Sequence, residues 1–373
     1  MRHRRACRID RWRGVSILTS DCETYGHGDE HAEARFRCDR AVRPRHRAGR
    51  VTKLLPVVIL FALLAGIGLL FFRPPAPPIC HTCPLYPVER SGRWGYVDST
   101  GRFVFRPTFE SARRFHEGLA AVEIAGSWGY VDKAGRMAVP VMFREAHDFS
   151  DGVARVAVAL PYGSEPGEEL FATRYGFVDF SGRIVIGAEF TDAGDFGDGL
   201  APVEFGDEWG YIDRDGMLAI QPDFVAAGEF ADGLASVLAG GAWYGSYFRN
   251  YHGGKWGFID VSGAIVIEPQ FDYVYRFSEG LAPVRSDGRW RYIDQTGATV
   301  LEPDVHWAHG FSDGLAPVRV QTRWGYIDRE GDFVVEPQFR YAESHTEGLA
   351  WVWTDSTAGY IDRQGTMVRE YPR

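Results

Sequence analysis

At 373 residues the chain has room for two or three ordinary domains, and 45% hydrophobic content with 25 Phe, 17 Tyr and 11 Trp excludes a disordered polypeptide. Its 44 glycines exceed the usual share of roughly 7%, and together with the aromatics they point to many short strands joined by tight turns. The net charge of −9 divides unevenly: residues 1–79 hold 15 Lys and Arg against 7 Asp and Glu, a net +8, while residues 80–373 hold 26 against 43, a net −17. An acidic body of that size disfavours nucleic acid as a partner, because such affinity comes mainly from neutralising phosphates.

Residues 1–53 open the chain with 13 Arg and no Lys in the first 50 positions and with no apolar period of 2 or 3.6. They read as a basic, disordered leader, or as sequence ahead of a later start at which Val51-Thr52-Lys53 opens a membrane-targeting segment. Residues 54–72, LLPVVILFALLAGIGLLFF, contain no charge and at about 1.5 Å per residue reach the roughly 30 Å of a bilayer core. A transmembrane helix or signal-anchor is expected there. Arg43, Arg45, Arg47, Arg50 and Lys53 precede it and Arg73 follows, so the N-terminus is expected in the cytoplasm and the remainder in the periplasm or outside the cell. The sequence RPPAPPIC shows no clear small-x-small cleavage site, which favours an uncleaved anchor.

Residues 73–84 form a Pro-rich spacer with Pro74, Pro75, Pro77 and Pro78, followed by Cys80-His81-Thr82-Cys83. That motif supplies at most three ligands where structural zinc wants four. A disulfide or a pair of inert thiols is the expected state, with no metal and no cofactor. The remaining cysteines, Cys7, Cys22 and Cys38, precede the spacer, so the body needs no disulfide of its own.

From Leu85 to the C-terminus the sequence repeats itself. An aromatic-Gly step recurs at Trp94, Trp128, Tyr175, Trp209, Trp256, Trp290 (followed by Arg291), Trp324 and Ala358, at spacings of 34, 47, 34, 47, 34, 34 and 34 residues. Nine residues ahead of most steps lies a Leu-Ala-x-Val strand, which sets eight units beginning at Leu85, Leu119, Val153, Leu200, Leu234, Leu281, Leu315 and Leu349. The two long periods carry 13 extra residues, inserted near 160–173 and 240–254. A period of this length signals a solenoid or a propeller. Each unit reads as a strand, a WGYID strand, an Asp-x-x-Gly turn and an apolar return arm ended by Pro-x-Phe. A loop through Phe-x-x-Gly then leads to the next unit. Return arms such as Ile265-Val266-Ile267 and Phe333-Val334-Val335 are apolar at every position and are expected to be covered on both faces.

These residues resemble the WG-repeat family, also called KWG repeats, in WGYID-x-x-G, the apolar strand, Pro-x-Phe and Phe-x-x-Gly-Leu-Ala. The resemblance spans Leu85 onward. It departs from the pattern at Tyr175, Ala188, Arg291, Val305 and Ala358. It implies a repetitive all-β fold of bacterial proteins and assigns no biochemical activity. The first unit begins with its opening strand and the last ends after its return arm, so an open β-hairpin solenoid of about 34-residue repeats is expected, with a closed propeller-like ring as the alternative.

The recurrent aspartates Asp98, Asp132, Asp179, Asp213, Asp260, Asp294, Asp328 and Asp362 suit a turn role better than cation binding, since each unit offers one carboxylate where a site needs several. The acidic residue ahead of each Gly-Leu step, from Glu117 to Glu347, is read in the same way. The aromatics Trp94, Trp128, Tyr175, Trp209, Trp256, Trp290 and Trp324 are expected to pack between units rather than to bind sugar. The second insertion, GGAWYGSYFRNYHGG, gathers Trp243, Tyr244, Tyr247, Phe248, Arg249, Tyr251 and His252 and is the candidate ligand surface; the alternative is a hydrophobic lid. No GxSxG, HExxH or phosphate-binding loop occurs, so no enzyme is expected. The reading is a membrane-anchored, extracytoplasmic binding or scaffold protein whose repeats meet a protein or cell-envelope ligand. A glycan-binding module is the alternative and a hydrolase a remote third.

Overall fold

The computed structural model describes residues 83–162, 170–244 and 250–372. The leader, the apolar run at 54–72 and most of the spacer lie outside them. The described residues are all β, and none of them forms a helix long and apolar enough to cross a membrane.

The repeats build eight antiparallel sheets, one per unit, each with its strands in sequence order. Blade 2 is representative: Ser111–Ala112, Leu119–Ile124, Ser127–Asp132 and Met137–Phe143 follow one another from the inner to the outer edge. Blades without an insertion close the hairpin between second and third strands with a two-residue turn. In Ser91-Gly92, Ala125-Gly126 and Asp287-Gly288 both residues have positive φ, which matches the right-handed twist of the flanking strands. The next turn is held by the repeat aspartate. In all eight units its Oδ1 accepts backbone N–H bonds from the residues two and four positions on, as Asp132 does from Ala134 and Arg136 at 2.9 Å each.

The return arm bulges as it leaves this turn. Trp128 lies opposite Phe143 while Tyr130 lies opposite Val139, so four residues of the arm face two of its partner strand. The displaced carbonyl takes the space of a side chain. A Cβ on Gly129 would stand 2.6 Å from the Val139 oxygen and 2.8 Å from the Pro140 carbonyl carbon, which explains the glycine found at this position in every unit but the sixth, where Arg291 stands.

The eight sheets close into a ring, a propeller rather than the open array expected. Among the described residues the core divides into eight apolar clusters, each shared by two adjacent blades, and one of them joins the last blade to the first: Tyr86, Val88 and Val97 of blade 1 with Leu349 and Tyr360 of blade 8. The rings of Tyr86 and Tyr360 are 5.1 Å apart, Tyr86 Oη donates to the Glu347 carbonyl at 2.8 Å, and Tyr360 Oη donates to the Pro87 carbonyl at 2.7 Å. Among the described residues, closure uses side chains and no exchanged strand. That is why the orderly start and finish of the repeats did not betray it.

Two further expectations are corrected. The loop leading into each unit contains the innermost strand of a blade, reduced to two residues in most blades and too short to show a period. The return arms are the outermost strands and are covered on one side: Ile265 and Val266 are 51% and 43% exposed, while Ile267 is 4% exposed. The third residue of each arm lies under the glycine of the neighbouring blade's Asp-x-x-Gly turn. Ile267 sits in this way beneath Gly297, and Arg369 of blade 8 beneath Gly101 of blade 1.

Candidate functional site

The joints between blades are built from the same residues as the repeat. The tyrosine of WGY donates to a carbonyl on the next blade's inner strand, as in Tyr96 to Arg113 (2.7 Å), Tyr130 to His147 (2.8 Å), Tyr211 to Gly228 (2.9 Å), Tyr292 to His309 (2.9 Å) and Tyr326 to Glu343 (2.8 Å). Its ring meets the aromatic of the next Phe-x-x-Gly, for example Tyr130 on Phe149 at 4.8 Å. The acidic residue ahead of each Gly-Leu step adopts positive φ, and from that position its carboxylate accepts the N–H of the corresponding glycine one blade on. Glu117 holds Gly152, Asp151 holds Gly199, Asp198 holds Gly233, Asp232 holds Gly280, Glu279 holds Gly314 and Asp313 holds Gly348. These carboxylates are structural clasps.

The two joints of blade 1 differ. The position that would clasp Gly118 is Cys83, a disulfide-bonded residue whose carbonyl accepts from Lys133 Nζ at 3.3 Å. The glycine that Glu347 would clasp is Pro84, which has no N–H. Blade 1 has three strands, Leu85–Arg90, Arg93–Asp98 and Phe103–Phe109, and no described residue supplies its inner strand. The Pro87 carbonyl accepts from Tyr360, whereas its counterparts in other blades accept a strand amide, as Ala121 does from Arg113 at 2.9 Å.

Around the axis, the inner strands bring together charges that the sequence scatters over 230 residues. Arg114 Nη2 of blade 2 meets Glu343 Oε2 of blade 8 at 2.6 Å. His116 Nε2 lies 3.5 Å from Asp148 Oδ2. Arg155 donates from Nε to Asp195 at 2.9 Å and from Nη2 to His147 Nδ1 at 2.9 Å, which requires an unprotonated Nδ1. Burial and the Arg155 charge accordingly hold His147 down to about 4. Glu229 accepts the Asp195 N–H at 3.1 Å and meets Arg276 at 3.2 Å; burial and the neighbouring Asp195 raise its carboxyl above the ordinary range. Burial also raises Asp148, against the lowering fields of His116 and Arg113.

The space beside blade 1's inner edge is a cavity of about 270 Å³ whose walls include Trp94, Arg113, Arg114, Asp148, Trp351 and Tyr360. Arg113 Nε, Arg114 Nη1 and Asp148 Oδ1, atoms of three of its lining residues, are themselves occluded and have no hydrogen-bond partner. Larger grooves of about 380, 680 and 740 Å³ lie between blades 3 and 4, on blade 6, and between blades 8 and 1. The groove on blade 6 has a local cause. Arg291 stands where the other units have a small residue, so the return arm keeps three residues, Thr299–Leu301, before it departs, and Arg291 Nε meets Glu302 at 3.4 Å. Beside it Trp290, Trp307, Tyr273 and Tyr275 form a contiguous aromatic cluster, with centroids 5.3 Å apart for the two indoles.

The residues singled out from sequence are distributed over different places. Trp290 and Trp324 belong to the joint clusters, Trp94, Trp128, Tyr175 and Trp256 pack against theirs, and Trp209 is buried. Both insertions leave the hairpin between second and third strands, on the same edge of the ring. The first lengthens the hairpin itself, Val153–Tyr162 with Leu170–Val178, and its tip at 163–169 lies outside the described residues. The second forms a separate ribbon, Ala242–Tyr244 with Asn250–His252, in which Trp243 is opposite Tyr251, Tyr244 opposite Asn250 and His252 opposite Ala242. Tyr247, Phe248 and Arg249 lie outside the described residues. The axial residues were missed by sequence reasoning, although two signals point to them. Charges precede the Phe of Phe-x-x-Gly in several units, as Arg113-Arg114 and His147-Asp148 do, and the third residue of Leu-Ala-x-Val, often proline, becomes Arg155 and Trp351.

Comparison with solved structures finds matches at low identity. The extracellular domain of the one-component system protein BT4673 of B. thetaiotaomicron is 11% identical over 78% of this chain, with a TM-score of 0.39; the chain spans 44% of that structure's length. Hsv2p of Kluyveromyces lactis is 10% identical over 75% of this chain and 89% of its own, with a TM-score of 0.37. The tricorn protease is 14% identical over 69% of this chain and 35% of its own, with a TM-score of 0.24. At these scores the likenesses bear on no function. No curated protein matches the sequence. The model of the WG-containing repeat, in contrast, matches seven times, at residues 94–127, 128–158, 175–209, 209–243, 256–290, 290–321 and 324–353, and these matches extend over more than half of the sequence. With its motif glycines, clasps and aromatic joints thus accounted for unit by unit, the chain belongs to the WG-repeat family.

Proposed function

We propose that the protein is an extracytoplasmic binding module, anchored through residues 54–72, that holds a small polar ligand in the axial cavity at blade 1. One observation carries the reading. Where blade 1 lacks a described inner strand, two indoles and a phenol wall a space that Arg113, Arg114, Asp148 and Glu343 also line. A concave space that combines aromatic surface with a few convergent polar groups is a usual form of a ligand site. The anchor and the outward orientation rest on the uncharged 19-residue run and the basic residues ahead of it. The ring gives the site rigidity, because eight joints fix its walls at once.

The reading is tested by thermal denaturation of the full-length protein against a library of sugars, carboxylates, amines and amino acids, in parallel with Trp351→Leu. A ligand at 100 times its Kd adds about 2.7 kcal/mol, which at roughly 2–4 °C per kcal/mol is a rise of about 5–10 °C. The expected result is a compound that stabilises the wild type and leaves the variant's melting unchanged. Stabilisation that survives Trp351→Leu would move the site to the insertions or the rim.

A further inference from the structure

We infer that the groove over the closing joint, between blades 8 and 1, binds a small ligand carrying two or more oxyanion groups, phosphate or carboxylate, through Arg90, Arg106 and Arg369. It is a second site, separate from the axial cavity. The groove has a volume of about 740 Å³, and its lining includes Arg90, Arg102, Arg106 and Arg369 together with Thr100 and Phe103. All four arginines are exposed. Arg102 meets Asp98 at 3.4 Å, and Glu370, next to Arg369 in the chain, accepts from Thr357 Oγ1 at 2.6 Å. Arg90, Arg106 and Arg369 have no carboxylate within ion-pair distance among the described residues. The body as a whole is acidic, with 26 Lys and Arg against 43 Asp and Glu in residues 80–373, so this groove is a positive site on a negative molecule. Like charges gathered along one groove repel one another and gain a partner when an anion enters.

Each of these three arginines breaks the rule of its own repeat position. Arg369 is the third residue of its arm, a place held by an apolar residue in each of the other seven blades, Ile267 and Val335 among them. Its stem is fixed at the joint beneath Gly101, where a Cβ would stand 2.6 Å from Arg369 Cγ. Arg106 is the fourth residue of its arm, where blades 5 to 8 have Glu268, Glu302, Glu336 and Glu370, so the charge is reversed. Arg90 ends its strand at a place that is uncharged in every other blade, as at Ser286 and Val320. Three departures at separate points of the unit thus converge on one groove, and breaks in a local rule that bring no structural gain are expected at functional sites. Arginine receives phosphate and carboxylate through paired, charge-assisted N–H bonds. Three guanidinium groups spread over two blades exceed what one oxyanion group can engage and match a ligand with several. The volume lies within the roughly 300–1,000 Å³ of small-molecule sites.

The test is isothermal titration of the full-length protein, at constant ionic strength, with tripolyphosphate and citrate against the single-group anions phosphate and acetate. At least one of the first pair is expected to bind about 10-fold or more tightly than its single-group counterpart, and the tighter of the two tells which oxyanion the groove takes. Arg369→Leu, Arg106→Glu and Arg90→Ser return residues that other blades carry at the same places, and their ligand-free melting is expected to be no lower than that of the wild type. Each is expected to weaken binding by about 10- to 100-fold, the usual worth of one bond to a charged group, and Arg106→Glu the most. Arg183→Met removes one charge from blade 3 and Trp351→Leu alters the axial cavity; both are expected to bind as the wild type does. Should one groove variant not fold, the other two decide. Equal binding of single-group and polyvalent anions, an equal loss in Arg183→Met, or no binding at millimolar concentration would overturn the site. Undiminished binding in the groove variants would overturn it too and move the anion to the basic residues 1–53, whereas loss in Trp351→Leu alone would move it to the axial cavity.

Discussion

Gly325→Ala is the most direct test of why each unit pairs an aromatic with glycine. The added Cβ would stand 2.4 Å from the Val335 oxygen, 2.8 Å from the Pro337 nitrogen and 2.9 Å from the Glu336 carbonyl carbon, all of them backbone atoms that no rotamer change can move. The return arm Phe333–Phe339 must therefore swing away from Arg323–Ile327. That movement breaks the Trp324–Phe339 pairing and uncovers Phe339, now 4% exposed. Forcing an extra carbon into a packed site costs about 1–3 kcal/mol, and exposing part of a buried Phe adds about 1–2 kcal/mol. The sum is roughly 2–5 kcal/mol, or a fall in Tm of about 5–15 °C. The control is Gly92→Ala, which meets no atom within 4 Å and carries only the strain of φ +73°, about 1 kcal/mol. Scanning calorimetry of the two variants decides the matter. A Gly325→Ala protein no less stable than Gly92→Ala would refute the steric argument, and with it the explanation of the shortened arm beside Arg291.

Three further outcomes are expected. Tyr360→Phe leaves the Pro87 carbonyl without its donor, at about 1–3 kcal/mol, and hydrogen exchange should show faster opening of Leu85–Arg90 than in Tyr130→Phe; equal protection would mean that the phenol does not hold the closure. His309, stacked on Trp324 and tilted against Tyr275, is held down to about 4 by burial. Its folded value lies below the ordinary 6.5, so the unfolded chain takes up the proton first, and stability present above pH 6.5 is lost as the pH falls toward about 4. A His309→Gln protein whose Tm falls as steeply over that window as the wild type would place the acid sensitivity elsewhere. Finally, Ala239 lies opposite Lys255 as Ser286 lies opposite Arg289, so replacing residues 240–254 by Asn-Gly should restore an ordinary two-residue hairpin with Tm changed by no more than about 2 °C. A large fall would show that Trp243, Tyr244 and Tyr251 belong to a lid over the body.

Much of the blade was legible because its second, third and fourth strands carry strong local chemistry. Asp132 must find amides, Gly129 must yield to a carbonyl, and Leu-Ala-x-Val must be buried, and each recurs at a fixed spacing. The inner strand was not legible: Ser111–Ala112 is two residues long, and its ladder is set by the neighbouring Leu119–Ile124 rather than by its own sequence. Ring closure was hidden for a related reason. It depends on a small rotation accumulated over eight joints and is completed by Tyr86 and Tyr360, which read as ordinary members of their units. The return arms misled because an apolar run was taken for two-sided burial, whereas Ile265 and Val266 face outward on an outermost strand. The axial cavity needed the third dimension, since Arg114 and Glu343 are 229 residues apart and meet across blade 1.

Closure also changes how damage spreads. In a linear stack an end unit has one neighbour and can fray while the others remain folded. In this ring, Arg369 lies beneath Gly101 and Tyr360 holds Pro87, so every blade has a neighbour on both sides and the array has periodic boundaries. A defect in one blade is then felt at two joints, and release of any one joint converts the ring into a chain with two loose ends. Melting is expected to be nearly all-or-none, with blade 1, whose two joints lack carboxylate clasps, as the place where the circle first opens.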